Sequence, residues 1–203
     1  MSNPYPRNRI TGIILAGGQA KRMGGQDKGL IDLAHKAMVE HAIAVLRPQV
    51  GALVISANRN SEIYRRFGYP VIPDVMGDYL GPLAGMASSM RYAGTPYIVT
   101  VPCDSPFIPP NLVERLYATL DKAQASICVA HDGKRMQPVF ALLRSSLWTG
   151  IMDFLKAGDR KVDLWYAEHK MALADFSDKP EIFLNVNTPE DKTVLEKKIN
   201  DNA

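Results

Sequence analysis

An apolar run followed by a basic, glycine-rich segment occupies residues 10–28, ITGIILAGGQAKRMGGQDK. Residues 10–15 predict a buried strand, which ends at the adjacent glycines that follow. The segment after it offers backbone N–H groups that no Cβ shields, together with Lys21, Arg22 and Lys28, as a triphosphate requires. An ordinary basic surface loop is the alternative, and the position directly after a first strand favours phosphate binding.

Strands and helices alternate beyond this loop. Apolar spacing and capping residues predict helices over residues 37–46, 61–67, 83–92 and 109–122, and strands over residues 53–55, 70–73 and 97–101. Four successive βα units predict a parallel sheet with helices on both faces and a binding site at the carboxyl ends of its strands. We therefore expect an α/β, Rossmann-like, mostly parallel sheet in a single domain over residues 1–203, with residues 1–8 as a flexible leader.

The pattern changes after residue 125. Residues 127–131 and 139–143 flank a turn and predict a hairpin, and Pro138 favours an edge position for its second strand, so an antiparallel edge is expected. Thr188 and Pro189 are typical of the start of a final helix. The remaining pattern predicts helices over residues 147–155 and 161–169 and short strands near residues 172 and 183.

Composition excludes several classes of protein. The chain has 203 residues, of which 46% are hydrophobic and 22% charged, as in globular rather than disordered or fibrous proteins. Two cysteines and four histidines without metal-ligand spacing predict neither a disulfide framework nor a zinc site. The net charge of +3 forms no dense basic stripe, so we expect no nucleic-acid partner. No apolar run suits a signal sequence or a membrane span, and we expect a cytoplasmic protein.

Two common nucleotide-binding motifs are absent. The dinucleotide motif G-x-G-x-x-G does not fit the adjacent glycines Gly17 and Gly18. The P-loop motif G-x-x-x-x-G-K-[ST] does not fit either, because neither glycine pair is followed by lysine and a hydroxyl residue at those offsets. A nicotinamide enzyme and a P-loop NTPase are therefore disfavoured.

Asp104 follows the fourth predicted strand, in the sequence VPCDSP of residues 101–106. This end of a parallel strand lies at the same crevice as the glycine-rich loop, and Mg²⁺ needs only one or two carboxylates when phosphate oxygens and water complete its coordination. We therefore predict Asp104 as a Mg²⁺ ligand, with a turn-capping role as the alternative. Asp74, after the third strand, lies at the same crevice and could hold ribose or a metal-bound water, and a turn cap is an equal alternative. Gly81 opens a helix whose N-terminus favours an anion or a base carbonyl, with tight helix packing as its alternative.

Six motifs in chain order resemble those of the molybdenum cofactor guanylyltransferases, which are nucleotidyltransferases related to sugar-phosphate guanylyl- and cytidylyltransferases. They are LAGGQAKRMGGQDK (residues 15–28), SANR (56–59), IPD (72–74), GPLAG (81–85), PCDSP (102–106) and NVNTPE (185–190). The resemblance extends from about residue 10 to the final helix. Ser56 stands where relatives commonly have asparagine.

This resemblance implies transfer of GMP from GTP to the terminal phosphate of molybdenum-bound molybdopterin, with release of pyrophosphate. It implies that Leu15, Ala16, Gly17, Gly18, Lys28 and Asp74 bind GTP and that Asp104 carries Mg²⁺ with the nucleotide. The catalytic candidates are Lys28, Asp104 and Arg22. The candidates for binding the acceptor are Asn185 and Asn187, with the basic residues Arg160 and Lys161. An equal alternative is a buried asparagine turn and a solvated basic pair.

Three other functions stay open at this point: cytidylyl transfer to a molybdopterin, guanylyl transfer to a sugar phosphate, and a noncatalytic nucleotide-binding carrier. Gly17-Gly18 favours guanine, since cytidylyl relatives tend to have Ala-Gly there. Arg22, Lys28 and Asp104 disfavour a pure carrier, which has no use for an in-line metal site. We expect a monomer that acts on small molecules, with transient contact to proteins that deliver molybdopterin or mature molybdoenzymes.

Overall fold

The computed structural model describes residues 5–18, 25–77 and 81–201. The strands in these ranges are β1 Ile10–Leu15, β2 Asp32–Leu33, β3 Lys36–Ala37, β4 Ala52–Ser56, β5 Val71–Ile72, β6 Tyr97–Pro102, β7 Ile127–His131, β8 Met136–Arg144 and β9 Met171–Asp175. The α-helices are α1 Met38–Leu46, α2 Ser61–Arg65, α3 Pro82–Ala93, α4 Leu112–Ala123, α5 Trp148–Lys156, α6 Val162–Ala167 and α7 Pro189–Asp201. The described part holds no helix that is both long and apolar enough to cross a membrane.

A seven-stranded sheet has the order β5-β4-β1-β6-β8-β7-β9. Strand β1 lies parallel to and between β4 and β6, and its register pairs Leu15 with both Ser56 and Pro102. Because these three residues end their strands side by side, the loops that follow them emerge at one edge of the sheet. The mostly parallel α/β sheet that we expected from the sequence is thus confirmed.

The hairpin predicted after residue 125 forms, but its second strand is not at the edge. Strand β8 lies between β6 and β7 and is antiparallel to both, while β9 takes the edge position, parallel to β7. The expected antiparallel edge is therefore an antiparallel interior strand. Pro138 is tolerated there because pairing of β8 with β6 stops at Ala141, and its register with β7 shifts between Val129 and Ala130.

Two smaller expectations also differ from the structure. Pro180–Phe183 is a 3-10 helix rather than a strand, since proline at the first position presets a helical φ. Within the expected flexible leader, the Tyr5 hydroxyl donates to the Gln49 carbonyl (3.1 Å) and Arg7 Nε donates to the Val50 carbonyl (3.1 Å). Residues 5–8 are thus tied to the loop before β4, and residues 1–4 lie outside the described part.

Both faces of the sheet are covered by helices. Ile14 belongs to a core that includes residues of α1 and α4, whereas its neighbour Ile13 belongs to a second core with residues of α3, α5 and α6. This division follows from the alternation of side chains along a strand. A third, smaller cluster joins α7 to the β2–β3 hairpin through buried Leu33, Val186 and Leu195. It brings the segment before α7 against the loop after β6.

Candidate functional site

A cavity of about 590 Å³ opens where β1, β4 and β6 end. Its volume is typical of sites for small molecules. The described residues that line it are Leu15, Ala16, Gly17, Gly18, Asp27, Lys28, Ser56, Asp74, Gly81, Pro82, Gly85, Pro102, Cys103, Asp104, Val139 and Asn187. Every residue that we predict to bind the nucleotide is in this set. The aligned strand ends bring them together, and their roles in binding stay predictions.

Lys28 joins three segments that are far apart in the sequence. Its Nζ lies 2.8 Å from Oδ2 of Asp104 and 2.5 Å from Oδ1 of Asn187. The Lys28 and Asp104 side chains are only 20% and 13% exposed. The backbone N–H of Val186 donates to the Asp104 carbonyl (3.0 Å), so the third hydrophobic cluster helps to hold Asn187 beside the ion pair. The cavity thus contains an ammonium group whose partners come from the loop after β6 and from the segment before α7.

Asp27, directly before Lys28, is a buried carboxylate whose importance we missed in the sequence. Its Oδ1 accepts hydrogen bonds from the Tyr64 hydroxyl (2.6 Å) and the Gly29 N–H (3.3 Å), and its Oδ2 accepts from Nδ2 of Asn60 (3.0 Å). Burial is the main cause that raises the pKa of Tyr64, and the Asp27 carboxylate adds to it, so the hydroxyl stays protonated as a donor. This network fixes the backbone from which the Lys28 side chain extends.

Asp74 is held at the cavity wall by Asn58. Nδ2 of Asn58 donates to Oδ2 of Asp74 (2.7 Å), and the backbone N–H of Asp74 donates to Oδ1 of Asn58 (2.8 Å). The next N–H, of Val75, donates to the Ser88 hydroxyl of α3 (3.0 Å). Asp74 therefore takes part in a local turn and also lines the cavity, and both interpretations of this residue remain available.

Helix α3 and strand β4 approach each other closely at the cavity. A Cβ atom on Gly85 would lie 2.6 Å from Oγ of Ser56 and 3.1 Å from Cδ2 of Leu15, so the contact requires glycine. Gly81 precedes α3 with a φ of 85°, in the left-handed region. Gly81 and Pro82 both line the cavity, which places the positive end of the α3 dipole at its wall.

The other site predictions have mixed outcomes. Asn187 lines the cavity, but Asn185 and Arg160 are not among its described lining residues. The Ser105 hydroxyl donates to Oδ1 of Asn185. Nη1 of Arg160 donates to the carbonyls of Leu155, in the last turn of α5, and of Asp159, just after that helix, both at 2.6 Å. Arg22 lies outside the described residues.

The acids along the cavity fit a cation that arrives with a polyphosphate. In the described part of the chain, no group of three or more His, Cys, Asp or Glu residues could hold a metal ion on its own. Asp27, Asp74 and Asp104 line the cavity against one described lining base, Lys28. A bound triphosphate would add more negative charge, and Mg²⁺ shared between one carboxylate, phosphate oxygens and water could offset it. All three carboxylates have protein partners: Asp104 pairs with Lys28, Asp74 with Asn58, and Asp27 with Tyr64 and Asn60. The role of Asp104 as the Mg²⁺ ligand stays a prediction.

Comparisons with known proteins identify the family of this chain. The family described as "MobA-like NTP transferase domain" matches residues 12–172. The molybdenum cofactor guanylyltransferase of Shewanella sediminis (strain HAW-EB3) is 51% identical over 191 residues, which cover 94% of this chain and 97% of that protein. The molybdenum cofactor guanylyltransferase of Shewanella piezotolerans (strain WP3 / JCM 13877) is 50% identical over 190 residues, covering 94% and 93% of the two chains.

Two solved structures show the same fold. The molybdopterin-guanine dinucleotide biosynthesis protein A of Archaeoglobus fulgidus has a TM-score of 0.80 at 21% identity, over 94% of this chain and 99% of that one. A CMP:2-keto-3-deoxy-manno-octonic acid synthetase complexed with CTP has a TM-score of 0.70 at 12% identity, over 96% and 98%.

The sheet, its cavity and the matching domain family together define the class: this chain is a nucleotidyltransferase. The likeness to curated relatives narrows the class further, because half of the residues are identical over nearly the full length of both chains. The chain belongs to the molybdenum cofactor guanylyltransferases. The resemblance inferred from six motifs is confirmed.

Proposed function

We propose that this chain transfers GMP from GTP to the terminal phosphate of molybdenum-bound molybdopterin and releases pyrophosphate. The observation that carries the proposal is the meeting of Lys28, Asp104 and Asn187 in the cavity at the ends of β1 and β6. The names of the relatives that are about half identical support guanylyl transfer in particular.

Such a transfer needs charge neutralisation and alignment more than proton transfer. An oxygen of the acceptor phosphate forms a bond to the α-phosphorus of GTP, and the bond from that phosphorus to the bridging oxygen breaks, so its electrons leave with pyrophosphate. The Lys28 ammonium, the N–H groups around Gly17 and Gly18 and the N-terminus of α3 supply positive potential to both polyanions. Arg22, from the same loop, would contribute a further cation.

Lys28 and Asp104 would exchange partners when the nucleotide binds. The two side chains neutralise each other at 2.8 Å, so neither charge stands alone in a poorly exposed site. Phosphate oxygens would replace Asp104 as the partner of Lys28, and the freed carboxylate would hold Mg²⁺. When bound, Mg²⁺ supplies charge neutralisation at the phosphate oxygens.

The acceptor would approach from the side of Asn187, which lines the cavity next to Lys28. Asn185 and Arg160 stay predictions for the same role. To reach the cavity, the Arg160 guanidinium would have to leave the carbonyls at the end of α5, and Asn185 would have to leave the Ser105 hydroxyl.

We also propose that residues 1–203 act as one nucleotidyltransferase domain, a monomer in the cytoplasm that contacts molybdopterin-delivering and molybdoenzyme-maturation proteins transiently. One sheet unites strands from Ile10 to Asp175, which supports a single domain. Cys103 and Cys128 are free thiols, which suits a reducing compartment.

A thermal-shift panel with GTP, CTP, ATP and NAD, each with and without Mg²⁺, tests the nucleotide. We expect GTP with Mg²⁺ to raise the midpoint most, because only a ligand that prefers the native state stabilises it. Pyrophosphate release from GTP should then depend on molybdopterin. A larger shift with CTP would contradict guanylyl transfer, and a GTP shift without pyrophosphate release in the presence of molybdopterin would favour the carrier.

A further inference from the structure

Arg59, three residues after the end of β4, has no part in the mechanism above, yet its side chain bonds to two separate stretches of backbone. Nη2 donates to the Gly18 carbonyl (3.1 Å), and Nη1 donates to the Gly25 carbonyl (2.9 Å). Nη2 also donates to the Gln26 carbonyl (3.3 Å). One guanidinium therefore links the segment that leaves β1 to the segment that leads into Lys28.

We propose that Arg59 is a positioning residue for GTP: it holds the backbone at Gly18 and at residues 25–27 in fixed relation, and so sets where the Lys28 ammonium lies. The proposal rests on the function proposed above. Arg59 is not among the described residues that line the cavity, whereas Gly18, Asp27 and Lys28 are. Its effect on the nucleotide would therefore pass through these residues.

The chemistry of the partners requires arginine. The carbonyls belong to two segments, and a rigid fork with five N–H donors can bond to both at once, whereas lysine offers a point charge on a flexible stem. The buried carboxylate of Asp27 adds an ion pair, with its Oδ2 3.6 Å from Nε of Arg59, which is beyond hydrogen-bond distance. The two side chains are 25% and 5% exposed, so solvent screens this ion pair only partly.

The turn after β4 provides neighbouring anchors. Asn58 bonds to Asp74 at the cavity wall, and Asn60, with a left-handed φ of 53°, bonds to Oδ2 of Asp27. Arg59 lies between these two residues in the sequence and bonds to the backbone of Gly18 and Gly25. Three consecutive side chains thus connect one strand end to separate parts of the nucleotide cavity, and only Arg59 among these three reaches Gly18.

Arg59→Lys and Arg59→Ala test the proposal by steady-state kinetics. We expect the KM for GTP to rise about tenfold in the lysine variant and on the order of a hundredfold in the alanine variant, because small displacements of positioning groups have effects of this size. The KM for the acceptor should change little. Arg65→Lys and Arg65→Ala are the matched controls, since Arg65 is exposed on α2 and pairs with Glu62 at the surface; they should stay within about twofold of wild type.

Hydrogen exchange on the nucleotide-free protein provides a readout that does not depend on activity. Amides of residues 25–30 should exchange faster in both Arg59 variants, while those of α4 should match wild type. Guanidinium ion, added far below denaturing concentration, should partly restore the KM for GTP in Arg59→Ala. If the rise in KM came only from unfolding of the variant, guanidinium ion would not restore it.

Each outcome decides the inference. An unchanged KM for GTP overturns it and leaves the proposed function standing. A raised KM without faster exchange at residues 25–30 also overturns it, since Arg59 would then act on the nucleotide directly. A wild-type protein without GTP turnover would overturn the proposed function, and the exchange measurement would still show whether Arg59 holds residues 25–30.

Discussion

Replacing Gly85 with alanine is a sharp test of how α3 packs on the sheet. At an ordinary position inside a helix, Gly→Ala stabilises a protein by about 1 kcal/mol, because glycine loses more backbone entropy on folding. Here the added methyl would lie 2.6 Å from Oγ of Ser56 and 3.1 Å from Cδ2 of Leu15. Overpacking of this kind costs about 1–3 kcal/mol. We therefore expect Gly85→Ala to lower the free energy of unfolding by about 1 kcal/mol.

Gly150→Ala is the matched control for this change. Gly150 lies in α5, and its nearest neighbours would be 3.9 Å from an added Cβ, at Nε2 of His169 and Cζ2 of Trp165, which is ordinary contact distance. The same substitution should therefore stabilise the protein by about 1 kcal/mol at this position. The two variants should differ by about 2 kcal/mol, or roughly 4–8 °C in the thermal midpoint for a chain of this size.

Thermal and urea denaturation followed by circular dichroism would measure both variants. A Ser56→Ala background adds a double-mutant cycle, since without Oγ the new methyl would meet Cβ of residue 56 at an ordinary 3.5 Å. The cost of Gly85→Ala should then fall by about 1 kcal/mol. If Gly85→Ala raised the midpoint as much as Gly150→Ala, the close approach of α3 to β4 would be refuted.

Three further changes probe the proposed Mg²⁺ ligand Asp104, the hydrogen-bond network of buried Asp27, and the turn at residues 132–135. Asp104→Asn keeps the shape but not the charge, so we expect an intact fold and about a hundredfold slower Mg²⁺-dependent pyrophosphate release. Tyr64→Phe leaves the buried Asp27 carboxylate with one donor fewer and should lower the free energy of unfolding in urea by about 1–3 kcal/mol. Backbone N–H groups of Arg135 and Lys134 lower the pKa of Asp132 to about 2. Its contribution to stability is therefore present above the unfolded pKa of about 4 and lost as the pH falls to about 2, and Asp132→Asn should flatten that loss in thermal scans.

Each of these three predictions has an outcome that would contradict it. Full turnover in Asp104→Asn would remove this carboxylate from the mechanism. Wild-type stability in Tyr64→Phe would mean that the other donors suffice for Asp27. An unchanged acid profile in Asp132→Asn would show that the turn at residues 132–135 draws no stability from the charge.

Much of the site could be predicted because the residues that form it belong to short motifs next to predicted strand ends. Glycines that end a strand, bases that follow them and an aspartate directly after another strand are visible in the sequence. Parallel strands also end at one edge, so Lys28 and Asp104 could be expected to share a crevice before any distance was known. The 2.8 Å contact between them agrees with that expectation.

Features that depend on contacts between distant segments could not be predicted from the sequence. Pro138 predicted an edge strand, but its place in the sheet depends on the register of β8 against both neighbours, which no local signal encodes. Asp27 looked like one more polar residue of a loop until the fold buried it against Tyr64 and Asn60. Arg160 looked available for the acceptor, yet the end of α5 provides nearer acceptors for its guanidinium.

Residue spacing alone thus determined the fold class, the order of strands and helices up to α4 except the β2–β3 hairpin, and most segments that form the cavity. It could do so because backbone preferences and hydrophobic alternation act over a few residues. Packing decided the strand order beyond β6, the partners of Lys28 and the link from Arg59 to Gly18. Those contacts join residues about 40 to 160 positions apart, and they exist only once burial of both sheet faces has brought the segments together.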